Sequence, residues 1–225
     1  MLNILQPLTS KTLNEENHEE VASLYKKSSL NLLLISGLFF VLINTNINQL
    51  FSLLPKAYSG GVLVVLMISL LKLYNGFLGN NGAIINNSKF YKITLPISLI
   101  MAFSVYFLNK LFYYELDMGT NGLALATLLV IFTANTFKLF FVKRKFSMTP
   151  FTNKSLLLFL IITVLYLSFN FWEFPIVNVY LWDFPMHPII NMILKSVLIV
   201  IIYIFLILKL HISPEFDSLL KKYYK

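Results

Sequence analysis

The sequence contains no cysteine, and only 12% of its 225 residues are charged. Without cysteine, the chain cannot form a disulfide, a thiolate metal site or a thiol nucleophile. Soluble domains carry about twice this charged fraction, whereas 57% of the residues here are apolar. The chain is therefore expected to be solvated by lipid, and its function is to be sought in the few polar groups that lipid would otherwise exclude.

Long apolar runs are the dominant feature of what is present. A helix of roughly 20 apolar residues crosses the hydrocarbon core of a bilayer, and runs of about that length recur about six times. No alternation typical of a membrane strand is visible, so the fold class is predicted to be an all-α membrane protein. The predicted spans are 30–48, 60–79, 91–111, 121–141, 155–172 and 188–210.

Basic residues are concentrated in alternate connections between these spans. They precede the first span and follow the second, fourth and sixth, and few occur in the other connections. Because Lys and Arg favour cytoplasmic loops, both termini of this multi-pass protein are predicted to be cytoplasmic, in the cytoplasmic membrane. The same bias accounts for the net charge of +8 without a nucleic acid partner.

The first 29 residues differ in character from the rest. Asn14 is predicted to cap an amphipathic helix that begins near Glu15, has acidic residues in its early turns and leads into the first span. Residues 1–8 are predicted to be the end of a preceding apolar helix. One face of the amphipathic helix carries Val21, Leu24, Tyr25 and Ser28.

These observations divide the chain into three parts. Residues 1–29 form a linker, residues 30–212 form the membrane region, and residues 213–225 form a cytoplasmic tail. Ser213 is predicted to cap a short surface helix in this tail, with Pro214 in its first turn.

Four segments, in this order and spacing, carry a resemblance to a known family. Residues 6–29 place a proline at a helix end before an acidic amphipathic helix, and residues 141–150 form a basic loop. Residues 79–91 are similar to a connection between core helices. The fourth segment is Gly119-Thr-Asn-Gly122-Leu-Ala124-Leu-Ala-Thr127, similar to a Gly-x-x-Gly-Ala-Ala-x-Ala-Thr pattern.

Together these segments resemble the C-terminal half of polysaccharide-unit flippases of the multidrug/oligosaccharidyl-lipid/polysaccharide exporter superfamily. Members are about twice as long as this chain and have two pseudo-symmetric lobes of helices that rock around a central cavity. The resemblance implies transport of a lipid-linked oligosaccharide without covalent chemistry or cofactor. It also implies a partner lobe, which this chain alone does not supply.

Lys72 is the strongest candidate for a functional residue, because it lies well inside the second span. Ser69, Lys72, Gly76 and Gly79 recur at helical spacing, with Asn75 close by, and form a small and polar stripe. Lys72 could attract the pyrophosphate of a lipid-linked sugar in a central cavity. Alternatively, its ammonium could snorkel to the interface or bind a carbonyl at a helix end.

Two further polar residues are candidates for the substrate cavity. Lys195 lies about two turns inside the sixth span, where snorkelling to the outer interface is the favoured interpretation. Asn44 shares a face of the first span with Gly37 and Asn48. A hydrogen bond to a neighbouring helix is favoured for Asn44 over a contact with sugar hydroxyls.

Small residues are predicted to pack the helices against one another. Small side chains allow close approach of helices in lipid. The residues assigned to this role are Gly76, Gly79, Gly119, Gly122, Ala124 and Thr127.

Catalytic and metal sites have little support in the sequence. The three histidines lack metal-ligand spacing, and no Asp or Glu lies within a predicted span. A membrane-bound glycosyl- or acyltransferase would need clustered acid, base or metal-binding groups, and the nearest approach is Glu173, Asp183 and His187. The alternatives to a flippase are therefore a non-transporting remnant or structural membrane protein and, less favoured, such a transferase.

Overall fold

In the computed structural model of the chain, residues 2–15, 17–173, 180–181, 184–185 and 187–214 are described. Short 3-10 turns at Lys56–Gly61 and Tyr91–Ile93 precede α3 (Val62–Leu78) and α5 (Thr94–Lys110), and a π-helical turn at Leu111–Glu115 follows α5. A pair of two-residue strands, β1 (Tyr180–Leu181) and β2 (Phe184–Pro185), is antiparallel. The α-helices are α1 (Leu2–Asn14), α2 (His18–Ser52), α3 (Val62–Leu78), α4 (Asn81–Asn86), α5 (Thr94–Lys110), α6 (Gly119–Phe146), α7 (Asn153–Asn170) and α8 (His187–Lys209).

The helices confirm an all-α membrane protein. Within the described residues, α2, α5 with its flanking turns, α6, α7 and α8 are long and apolar enough to cross a bilayer. The remaining predicted span corresponds to α3, which has 17 residues. At 1.5 Å per residue this helix is about 25 Å long, near the lower limit for a membrane span.

The predicted amphipathic helix and the first predicted span are one continuous helix, α2, with 35 residues. The helix contains no proline, so nothing interrupts its hydrogen bonding where the amphipathic part meets the apolar part. Its N-terminal part buries Val21, Tyr25 and Ser28, as predicted, while Leu24 is half-buried. The predicted boundary between residues 29 and 30 therefore falls inside a helix.

The prediction that Asn14 caps this helix is wrong. Asn14 is the last residue of α1, which continues through Pro7 instead of ending there. The cap is Asn17, whose Oδ1 accepts a hydrogen bond from the backbone N–H of Glu20 at 3.1 Å. Both asparagines suit a helix start, and Asn17 prevails because α1 extends as far as Asn14.

Helix α2 is the centre of the bundle and packs against α3, α7 and α8. Its residues Leu33 and Val41 are fully buried. A Cβ at Gly37 would overlap the side chain of Ile162 on α7 and approach the hydroxyl of Tyr203 on α8. Glycine at position 37 therefore allows the two helices to pack closely against α2.

Two apolar clusters stabilise the bundle, and they lie at different positions along α2. The larger combines α2 with buried residues of α7 and α8, including Leu158 and Ile199. The smaller joins Val21 and Tyr25 to α4, the end of α6 and Met148. By contrast, α5 buries none of its residues and packs mainly on α6, so it is a peripheral helix.

The C-terminal tail is described only as far as residue 214. Ser213 is buried, and its Oγ donates a hydrogen bond to Asn31 Oδ1 of α2 at 3.0 Å. The helix predicted for residues 213–225 lies almost wholly outside the described residues.

Candidate functional site

A cleft of about 750 Å³ lies between α2 and α3. Helix α2 contributes an apolar wall that includes Leu32, Ile35 and Phe39. The opposite wall is more polar, because α3 presents the small and polar stripe predicted from the sequence. The polar side chains that line the cleft are Ser36, Ser69, Lys72, Asn75, Asn81 and Asn135.

Lys72 lies on the polar wall and is exposed. Among the residues that the structure describes, none accepts a hydrogen bond from its ammonium or pairs with it as a carboxylate. An ammonium has three N–H donors and no acceptor, so Lys72 is able to bind an anion that enters the cleft. The alternative in which Lys72 binds a helix-end carbonyl is not what the described geometry shows.

Asn75 is held by a chain of side-chain hydrogen bonds that leads to α6. Lys138 Nζ donates to Asn135 Oδ1 at 3.4 Å, and Asn135 Nδ2 donates to Asn75 Oδ1 at 2.7 Å. Because Asn75 Oδ1 is occupied as an acceptor, the Asn75 Nδ2 group remains as a donor beside Lys72. The stripe therefore presents hydrogen-bond donors at neighbouring turns of α3.

Asn135 is one of three polar cleft residues that the sequence analysis missed, the others being Ser36 and Asn81. Asn135 lies on α6, far from α3 in sequence, and bonds Asn75 across the helix contact. One residue further along, the Thr136 hydroxyl is 2.6 Å from the Tyr74 hydroxyl of α3. Asn135 and Thr136 are adjacent polar residues inside an apolar span, which is a sequence signal that they bond another helix. The sequence does not show which helix that is.

Asn44 packs helices together and does not line the cleft. Its Nδ2 donates to Ser69 Oγ at 2.8 Å, and it is only 3% exposed. The contact confirms the interpretation that Asn44 bonds a neighbouring helix. Ser69 therefore both lines the cleft and anchors α3 to α2.

We expect the Asn44–Ser69 contact to show a measurable coupling energy. Asn44→Ala and Ser69→Ala should each lower the thermal midpoint in detergent, and the double variant should lose less than the sum. Hydrogen bonds between membrane helices show couplings of about 0.6 kcal/mol, and those with buried partners reach about 2 kcal/mol. Thr163→Ala is the matched control, because its exposed hydroxyl bonds only Phe159 O of its own helix. Additivity of Asn44→Ala with Ser69→Ala would contradict this assignment.

Three of the predicted packing glycines have close neighbours. A Cβ at Gly76 would overlap Ser36 Oγ and approach the Leu32 carbonyl of α2. A Cβ at Gly79 would lie 2.8 Å from Ser29 backbone atoms, also on α2, and one at Gly122 would lie 2.8 Å from the Phe112 carbonyl. Glycine at these positions therefore allows close backbone approach.

The packing role predicted for Gly119 is wrong. A Cβ at this position would meet nothing within 4 Å, but its φ is +54°. Glycine is favoured there because α6 begins with a left-handed residue. Ala124 is 5% exposed, as a packing residue should be. The Thr127 hydroxyl donates to Leu123 O of its own helix at 2.9 Å.

The interpretation that Lys195 snorkels to an interface is also wrong. Lys195 is fully buried, and its Nζ donates to the Thr45 carbonyl of α2 at 3.1 Å. It lies between α8 and α2 and does not line the cleft that contains Lys72. Snorkelling would place the ammonium at the membrane interface, whereas the ammonium of Lys195 lies inside the bundle and donates to a backbone carbonyl of α2.

The comparisons with known proteins identify no relative: no family model, curated protein or solved structure matches the chain. Among the described residues, no group of three or more His, Asp or Glu side chains could hold a metal ion. The polar groups that line the cleft are one ammonium with amide and hydroxyl groups, opposite an apolar wall.

Proposed function

We propose that the chain is part of a flippase that moves lipid-linked oligosaccharide across the cytoplasmic membrane. The observation that carries the proposal is the cleft in which exposed Lys72 lies beside Asn75 and Ser69 and faces the apolar wall of α2. A lipid-linked sugar has the complementary chemistry: an anionic pyrophosphate, sugar hydroxyls and a hydrocarbon tail. The resemblance of the four sequence segments supports the same assignment.

In this proposal, α2 and α3 form the wall of a larger cavity that a partner lobe completes. Lys72 attracts the pyrophosphate, and the amide and hydroxyl groups beside it bind the remaining phosphate or sugar oxygens. Rocking of one lobe against the other would expose the cavity alternately to the two sides of the membrane. Both termini would face the cytoplasm, as the distribution of basic residues predicts.

The binding step can be tested with the chain by itself. We expect Lys72→Gln, reconstituted in lipid nanodiscs, to bind a polyprenyl pyrophosphate roughly 10- to 100-fold more weakly than the unaltered chain. A hydrogen bond to a charged group is worth about 1.5–3 kcal/mol, and about 1.4 kcal/mol corresponds to a tenfold change in affinity. Lys92→Gln is the control, since this exposed lysine lies before α5 and outside the cleft.

Equal affinities of Lys72→Gln and Lys92→Gln would overturn the cleft as the binding site. Transport itself is tested by complementing a flippase-deficient strain with the chain alone or with a separately encoded first lobe. Restored polymer export only when both are present would support the proposal. No restoration in either case, despite membrane insertion, would instead support a non-transporting membrane protein.

A further inference from the structure

A second polar region lies between α2 and α8, away from the cleft. Its centre is Lys195, which is fully buried and donates one hydrogen bond, to Thr45 O. An ammonium carries three N–H groups. Within the described residues, the other two N–H groups of Lys195 therefore have no protein acceptor.

Buried acceptors without donors lie on the same stretch of α2. The Asn46 and Gln49 side chains are each 8% exposed, and no described residue donates to Asn46 Oδ1 or Gln49 Oε1. Their orientation is set by their amide nitrogens: Asn46 Nδ2 donates to Ser196 Oγ at 3.1 Å, and Gln49 Nε2 donates to Glu173 Oε1 at 2.6 Å. Unused donors and unused acceptors in one enclosed region are the setting in which proteins hold water.

This region is continuous with the N-terminal end of α8. His187, Asn191 and Lys195 follow one another at four-residue spacing and so lie along one side of the helix. The Nδ1 atom of His187 is buried and has no partner among the described residues, and Asn191 is 6% exposed. The next position on the stripe is Ile199, which is fully buried, so the polar stripe ends at Lys195.

The charged and titratable groups that face Lys195 can be identified for each neighbouring element. Helix α2 contributes the neutral groups Thr45, Asn46 and Gln49. Glu173, which follows the C-terminal end of α7, interacts electrostatically with Lys195. Glu173 is thus the described carboxylate that interacts with Lys195, and His187 lies about two turns before Lys195 on α8.

We propose that this stripe lines a water-filled path that reaches from Lys195 to one side of the membrane, the side of Glu173. Through this path Lys195 exchanges its proton with the solution. The ammonium transfers one proton to water and becomes a neutral amine that keeps the electron pair. The reverse step restores the ammonium. Glu173 and His187 stand where the path meets the solution and can accept or donate the proton there. The proposal does not depend on the function assigned to the Lys72 cleft.

The path can be mapped by thiol modification, since the chain has no native cysteine. Asn191→Cys and Ile199→Cys are introduced singly into the full chain in vesicles and treated from either side with an impermeant, charged methanethiosulfonate. Such reagents react with the hydrated thiolate. Phe171→Cys, at an 85% exposed position two residues before Glu173, marks the Glu173 side.

We expect Asn191→Cys to react at least about tenfold faster than Ile199→Cys, and only from the side at which Phe171→Cys reacts. Ser196→Cys, a nearly isosteric change beside Asn46, repeats the measurement if Asn191→Cys does not fold. The proposed path would be refuted if Asn191→Cys, or Ser196→Cys in its place, reacted as slowly as Ile199→Cys. Reaction from the side opposite to Phe171→Cys would also refute it.

Proton exchange is measured separately, by the NMR resonance of the Lys195 ε-carbon in lysine-labelled protein in nanodiscs. The resonance is assigned by its loss in Lys195→Met. We expect it to move from the ammonium to the amine position as the pH rises, and its midpoint to change in Glu173→Gln. A resonance that keeps the ammonium position at every pH at which the protein remains folded would refute the exchange.

Discussion

Replacing Gly79 by alanine is expected to destabilise the bundle by about 3–5 kcal/mol, because two independent costs coincide there. Gly79 has φ +62° and ψ −132°, a backbone conformation that alanine rarely adopts. A Cβ would also lie 2.8 Å from the Ser29 backbone, which cannot move aside as a flexible side chain would. The result should be a lower thermal midpoint in detergent and separation of α3 from α2.

Alanine substitutions at three other glycines measure the steric overlap and the backbone strain separately. Gly76→Ala meets α2 with helical backbone geometry, so only overpacking of about 1–3 kcal/mol is expected. Gly119→Ala has open space but φ +54°, which predicts only the strain of about 1–2 kcal/mol. Gly82→Ala, in α4, has neither cost and should be neutral or stabilising by up to about 1 kcal/mol.

The measurement is the thermal midpoint of each of the four variants in detergent, and the prediction concerns their order. Gly79→Ala should be lowest, Gly76→Ala and Gly119→Ala intermediate, and Gly82→Ala highest. If Gly79→Ala has the midpoint of Gly119→Ala, the close approach of Ser29 is not present in the folded protein.

The second large effect is expected at Lys195, where the size of the side chain contributes more to stability than its charge does. Lys195→Ala should lower stability by about 2–5 kcal/mol, because it leaves a void where a long, fully buried side chain packs between α8 and α2. Lys195→Met keeps the length and removes a buried charge, so its midpoint should equal or exceed that of the unaltered chain.

The same pair of substitutions at Lys72 is the control. Because Lys72 is exposed in the cleft, Lys72→Ala and Lys72→Met should both change stability little. A Lys195→Met variant as unstable as Lys195→Ala would show that the hydrogen bond to Thr45, rather than packing, dominates at this site.

The candidate cleft could be predicted in part. Helical spacing placed Ser69, Lys72 and Gly76 on one face of one helix, and the structure keeps them together along the α2–α3 contact. Asn135 could not be added, because its bond to Asn75 joins residues on helices distant in sequence. Periodicity identifies a face of a helix and carries no information about which helix meets that face.

Two of the lysines within the predicted spans, Lys72 and Lys195, show the same limit more sharply. Each lies inside an apolar run, and the chemistry of the side chain is identical. Lys72 faces the cleft, whereas Lys195 is enclosed by α2. Their environments differ because of the positions of neighbouring helices, and burial of a charge depends on those neighbours rather than on local sequence.

The sequence by itself determined the class of the protein, because long apolar runs with few charges can satisfy their backbone in lipid only as helices. It also determined which residues could not be ordinary lipid-facing groups, Lys72 and Lys195 among them. The tertiary structure alone decided that α2 is the central helix, that Lys72 lines an open cleft and that Lys195 is buried. The physical reason is that contacts between helices arise from the packing of complementary surfaces, which side chains far apart in the chain create together.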